Sequence, residues 1–132
     1  RCRGVYTFYR PENADEVREF TRAFLHSNKM EMKDIDLLIT GMNGDAESDS
    51  TYHEILPGLF DGIPQAVYKH LCGEYYTSTA FASWLAAMIL KTQQCPAYIM
   101  TEGQQAPKKT RNILIYNQNR NTNHSLILLS AC

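Results

Sequence analysis

The sequence predicts an α/β domain, a mixed five-stranded sheet flanked by helices, with elements in the order βαβαβαββ. Three observations lead there. Ile35, Leu37, Leu38 and Ile39 form a short, mostly apolar run with no helical period, the pattern of a strand buried on both faces of a sheet. Apolar residues at helical spacing follow the first strand pattern over residues 14–26, and a second helical stretch covers residues 77–92. The chain closes with two runs of strand formers, residues 113–116 and 125–129, joined by a polar connection long enough for an antiparallel pair.

Taken in order, Val5, Thr7 and Tyr9 alternate with Tyr6, Phe8 and Arg10, and Pro11 ends this first strand. Val17, Phe20, Ala23 and Phe24 then recur at helical spacing, with Asn13 placed as the cap and Asp15 and Glu16 in the first turn. That helix returns the chain to residues 34–39 as a crossover, so the first two strands should run parallel. Gly41, Asn43, Gly44 and Asp45 stop the second strand, and a turn at the carboxyl end of a strand is where α/β folds present ligand-binding side chains. Beyond it, Ser48 or Asp49 can cap a helix over residues 51–60, which Pro57 kinks or shortens before a loop at Gly62 and Pro64. Residues 65–70 read as a third strand, followed by a polar turn at residues 71–74. The helix at residues 77–92 is apolar nearly all round, from Ala80 through Trp84 to Leu90, which calls for burial on several sides and a further protein layer against it.

The 132 residues, 44% of them hydrophobic, suffice for one domain with a real core. A formal charge of -1 and a pI of about 6.5 give no global field for nucleic acid or an anionic membrane. Cys2, Cys72, Cys95 and Cys132 form no CxxC pair and read as free thiols of a reducing cytosol. No apolar run is long enough to span a bilayer, so a soluble cytoplasmic protein without membrane insertion, metal or cofactor is expected. The chain opens at Arg1 with a strand pattern already under way, which points to a piece of something longer.

The segments RGVYTFYR, DIDLLITGMNGD, YKHLCGE and NTNHSLIL, in this order and separation, resemble the carboxyl-terminal half of β-ketoacyl-acyl-carrier-protein synthases over nearly the whole chain. The resemblance implies a thiolase-like half-fold over residues 1–132, completed by an N-terminal half that carries the nucleophilic cysteine. It also implies an acyl carrier protein as partner, and a homodimer or a heterodimer with an active synthase. In the family, the second strand ends in a His-Gly-Thr-Gly-Thr loop, matched here by Gly41, Met42, Asn43, Gly44 and Asp45. The following Asp is kept as Asp49, and the family's Glu falls at Tyr52. A Lys-Ser-Met-Thr-Gly-His motif is matched by Lys69 through Glu74, with Lys69 and Gly73 kept. A Phe-Gly-Phe-Gly-Gly-Thr-Asn-Ala-Ser hairpin is matched by residues 117–125, with Thr122, Asn123 and Ser125 kept. The carry-over puts Lys69 and Glu74 at catalytic positions. It puts Asn43, Gly44, Gly73, Asn119, Thr122 and Asn123 at substrate-binding ones.

Both family histidines are substituted, one by Gly41 and the other by Glu74. Losing a single oxyanion donor costs about 10²- to 10³-fold in rate. Gly41 has no side chain to offer, and an ionised Glu74 repels an enolate, so the chain should be inactive as a condensing enzyme. His70, beside Lys69 in the expected strand, should face the other way, and His26, His53, His124 and Cys72 read as solvated or structurally satisfied. Lys69 with Glu74 reads as an ion pair before a catalytic dyad, and Asp45, Glu47 and Asp49 as a capping turn before a cation site. Lys108, Lys109 and Arg111, joined by Arg120, read as a solvated loop before a contact for an acidic carrier protein. The leading expectation is a noncatalytic, chain-length-factor-like partner in fatty-acid, polyketide or aryl-polyene-type assembly. An acyltransferase or thioester-processing enzyme with Glu74 as base comes second, and a standalone α/β interaction module third.

Overall fold

The structure, a computed structural model, describes residues 1–75 and 77–132. Its elements are β1 (Cys2–Tyr9), α1 (Ala14–Ser27), β2 (Leu37–Thr40), α2 (Ala46–Ile55), β3 (Gln65–Val67), the single turn α3 (Lys69–Cys72), α4 (Ser78–Thr92), β4 (Asn112–Asn119) and β5 (Asn123–Ser130). They form a five-stranded sheet in the order β1-β5-β4-β2-β3. β2 runs parallel to β3 and β4, while β5 runs antiparallel to β4 and β1. Hence β1, β2, β3 and β4 share one direction and β5 alone is reversed. The mixed α/β architecture is as predicted, including the parallel sense of β1 and β2, although β5 and β4 lie between them.

The sheet core follows from the two-residue period of a strand, which sends alternate side chains to opposite faces. All four residues of β2 are buried. Leu38 joins Val17, Phe24, Tyr52 and Phe60 beneath α1 and α2, whereas Leu37 and Ile39 join Ala82, Ala86 and Ile89 beneath α4. Each such apolar side chain stabilises the fold by roughly 1.5–3 kcal/mol relative to exposure, so the central strands anchor both layers. Helix α1 starts where the Asn13 side chain accepts a hydrogen bond from the Glu16 N–H, at 2.9 Å. Its aromatic face meets β1, with the Phe8 and Phe20 rings 5.1 Å apart.

The α4 side is less complete. One helix covers β4 and β5 and meets the buried side chains of β2 but does not reach β1, where Val5 and Tyr9 remain 61% and 62% exposed. The expected burial of α4 on several sides is not met within this chain. Its inner stripe of Ala82, Leu85, Ala86 and Ile89 is buried, whereas Trp84 is 56% exposed on the outer face.

Three local expectations are corrected. The second helix begins at Ala46, five residues before the expected start, because Asp45 is its cap, accepting from the Ser48 N–H at 2.8 Å. Asp49 is occupied elsewhere, and the helix ends at Ile55, just short of Pro57, so of the two expected effects of that proline the structure has the shortening and not the kink. The third strand leaves the sheet after Val67, and Lys69 opens a helical turn closed by Gly73 at φ 83°, a conformation that favours glycine. The last two strands are longer than predicted, with Asn119 paired to Asn123 across a hairpin tip of Arg120, Asn121 and Thr122.

Candidate binding cleft at the carboxyl edge of the sheet

Because α4 leaves β1 uncovered, a cleft of about 800 Å³ opens between the end of β1, the β4–β5 hairpin and the segment from α3 to the start of α4. It sits at the carboxyl ends of β1 and β4, the edge at which α/β sheets present ligand sites. Tyr9 and Tyr75 supply exposed aromatic surface, Asn119, Arg120 and Asn123 a polar rim, and Lys69 and Glu74 the charge nearest α4.

The candidates Lys69, Glu74, Asn119 and Asn123 are thus brought together. Lys69 is only 8% exposed, and its Nζ donates to Glu74 Oε2 at 2.5 Å. The same carboxylate oxygen accepts from Asn43 Nδ2 at 3.0 Å, which ties the turn after β2 to the loop after α3. The Glu74 side chain is 54% exposed and reaches the pair from the solvent side. The expected ion pair is therefore present, although Lys69 holds it from a helical turn and not from a strand.

The other candidates frame the cleft or lie away from it. Asn43 acts through Glu74, and its Oδ1 accepts from the Asp45 N–H at 2.9 Å. The Gly44 N–H donates to Asp49 Oδ2 at 2.9 Å, and the Asn43 N–H to the other oxygen of that carboxylate at 3.0 Å. Asp45 and Asp49 are thus consumed in closing a turn and starting a helix, and no metal-binding cluster occurs among the described residues. Gly73 ends α3, and the Thr122 hydroxyl donates to the Arg120 carbonyl at 3.1 Å inside the hairpin tip. Arg120 lies at the far end of β4 from Lys109 and Arg111, so the expected basic loop does not include it.

Gly41 is more than a histidine position without its side chain. A Cβ there would stand 2.0 Å from Asn117 Oδ1 and 2.6 Å from the Tyr52 hydroxyl. Both neighbours are held in place. Asn117 Oδ1 accepts from the Tyr68 hydroxyl at 3.1 Å, and its Nδ2 donates to Thr79 Oγ1 at 2.9 Å. The Tyr52 hydroxyl accepts from the Gln118 N–H at 2.9 Å. Burial pushes the Tyr52 and Tyr68 phenols up from their ordinary values, and both stay neutral donors and acceptors.

His124, 1% exposed, stacks on Phe8 with ring centroids 5.0 Å apart. Its Nδ1 pairs with the Tyr116 hydroxyl at 2.8 Å and its Nε2 with Asn121 Oδ1 at 3.1 Å. Asn121 Oδ1 can only accept, so the neutral ring carries its proton on Nε2, and Tyr116 donates to Nδ1. Burial lowers the His124 pKa below its ordinary value, opposed by the contact with Asn121. This histidine is structurally satisfied, as expected, while His26, His53 and His70 are exposed. Thr7 to Tyr9, Ser78 and Thr79 were absent from the sequence candidates although they line the cleft. The one signal for this region was the polar triplet Asn117, Gln118 and Asn119, set directly after the apolar half of β4.

No family model matches the sequence, and no curated protein matches it. Among solved structures, the chain is similar to one from the complex AntDE:AntF (apo), described as a type II PKS acyl-carrier protein in complex with its ketosynthase bound to the hexaketide. The TM-score is 0.77 at 14% sequence identity, and the likeness covers 98% of this chain and 38% of that chain. At this identity the likeness bears on fold. It corrects the leading functional expectation: a chain-length-factor-like partner derived from a β-ketoacyl synthase half has no matching family or curated protein behind it, and its structural neighbour is described through a carrier protein. The acyltransferase and standalone-module expectations are set aside with it. No described helix is long and apolar enough to cross a membrane.

Proposed function

We propose that this chain is a binding domain of polyketide-type assembly whose cleft receives the acyl-bearing arm of a carrier protein. The observation that carries this reading is the makeup of the cleft: aromatic surface from Tyr9 and Tyr75 beside the amides of Asn119 and Asn123 and the guanidinium of Arg120. An acyl or polyketide arm alternates apolar carbon with carbonyl acceptors, which suits aromatic faces interleaved with nitrogen donors. Binding accounts for the lining better than catalysis, because His124 has both ring nitrogens engaged and is not free to serve as a base for the neighbouring hydroxyls. The complex that contains the structural neighbour joins a carrier protein, a ketosynthase and a hexaketide, which supports the ligand class and a carrier or synthase partner. Kinship with the condensing-enzyme scaffold is proposed for the architecture alone, on the shared element order.

The test is titration of the isotope-labelled chain with butanoyl-N-acetylcysteamine, a neutral mimic of the arm, followed by NMR. Saturable shifts are expected at Asn119, Arg120 and Asn123. The double variant Tyr9→Ala, Arg120→Glu changes two exposed positions and should weaken binding about tenfold, equivalent to about 1.4 kcal/mol. Shifts that never saturate, or equal affinity in the double variant, would overturn the reading.

A further inference from the structure

We infer that Lys69 is an anion site held in reserve by Glu74, and that the cleft selects acyl chains ending in a carboxylate, which take the place of Glu74 on Lys69 Nζ. The inference rests on the acyl-arm reading of the cleft and names its ligand class.

Lys69 is the most deeply placed charge of the cleft, 8% exposed, whereas Arg120 and Glu74 are exposed. An ammonium group carries three donors. Among the described residues Nζ has one acceptor, Glu74 Oε2. Two donors therefore remain beside the cleft on a group that burial obliges to find partners.

The partner it has is well suited to leaving. The Glu74 side chain is 54% exposed and enters from the solvent side, so rotating outward returns its carboxylate to water at little desolvation cost. Lys69 cannot follow, because it sits in a turn closed by the Gly73 N–H to the Lys69 carbonyl, at 2.7 Å, and its stem is buried. An incoming carboxylate thus exchanges one charge-assisted hydrogen bond for another without leaving the ammonium bare. Asn43 Nδ2 sets the threshold for the exchange, since it is the second donor to the Glu74 oxygen that must let go.

The experiment compares succinyl-N-acetylcysteamine with butanoyl-N-acetylcysteamine, two thioesters of equal acyl length that differ in the terminal carboxylate. On the native chain, the succinyl thioester should bind about tenfold tighter, with the Lys69 side-chain resonances shifting on saturation. Lys69→Met should remove the difference between the two ligands. That variant deletes the buried charge and leaves Glu74 in solvent, which favours folding. Asn43→Ala, at an exposed turn position, should raise the affinity for the succinyl thioester by about twofold to threefold and is a second route should Lys69→Met not fold. Equal affinity of the two thioesters on the native chain, or a succinyl advantage that survives in Lys69→Met, overturns the inference. Lys69-dependent binding of the succinyl thioester with no binding of the butanoyl one overturns the acyl-arm reading and leaves the anion site standing.

Discussion

Gly41 and Lys69 lie on the same edge of the sheet, just past the ends of the neighbouring strands β2 and β3, and they are built in opposite ways. Around Gly41 the two side chains that crowd its Cα are engaged, Asn117 between Tyr68 and Thr79 and Tyr52 with Gln118, while the buried Thr40 hydroxyl has no partner among the described residues. Around Lys69 a buried ammonium depends on one carboxylate that stands half in water. The hydrogen bonds of Asn117 and Tyr52 fix their geometry, because displacing either side chain strands a buried donor or acceptor. A buried charge with a partner on the solvent side can exchange that partner. The closed region acts as the frame of the cleft and the open region as the part that can respond to a ligand.

Substitutions can break or sharpen this contrast. The largest effect is expected for Gly41→Ala, because its methyl would overlap Asn117 Oδ1 and the Tyr52 hydroxyl, neither of which has room to give. A loss of about 3 kcal/mol is expected, read as a lower urea midpoint. Tyr52→Phe leaves the Gln118 N–H without its acceptor and should cost about 2 kcal/mol by the same measurement. Glu74→Ala leaves Lys69 unpaired at the open site. Since Glu74 is more than half exposed, about 1 kcal/mol is expected, well below the cost of breaking a fully buried pair. A cost for Glu74→Ala equal to that of Gly41→Ala would erase the distinction between the two regions.

A smaller effect tests the closed side by pH. The folded pKa of His124 is depressed by burial, so its share of stability is complete above the unfolded value of 6.5 and is lost as pH falls through that value towards the folded one. Thermal melting near pH 7.5 and at about pH 5 should show this loss in the native chain and a reduced one in His124→Gln. The smallest effect belongs to the outer face of α4. Trp84→Ser should change stability by less than about 0.5 kcal/mol, because Trp84 is 56% exposed and the buried stripe of the helix lies opposite it.

The two regions were unequally legible in the sequence. The pairing of Lys69 with Glu74 could be anticipated because the residues are five apart on one short segment. The crowding at Gly41 could not, since Asn117 is 76 residues away and reaches it only through the pairing of β2 with β4. The β1 wall of the cleft was equally hidden, because Thr7, Phe8 and Tyr9 meet the hairpin only through their pairing with Ser125, His124 and Asn123. The misplaced start of α2 has a different cause. Asp45, Ser48 and Asp49 are all good capping residues, and the choice among them depends on which backbone N–H groups the folded turn offers to each.

What the sequence determined by itself was the set of elements and their inward faces. Strand and helix periods are local, and the burial of an apolar side of each element follows from hydrophobicity whatever its neighbours turn out to be. Strand order, the uncovered flank of β1 beside α4, the closed frame around Gly41 and the solvent-side partner of Lys69 were decided by tertiary structure. Each depends on contacts between distant segments, and their geometry is set only when the sheet closes and one helix proves too narrow to cover its whole face.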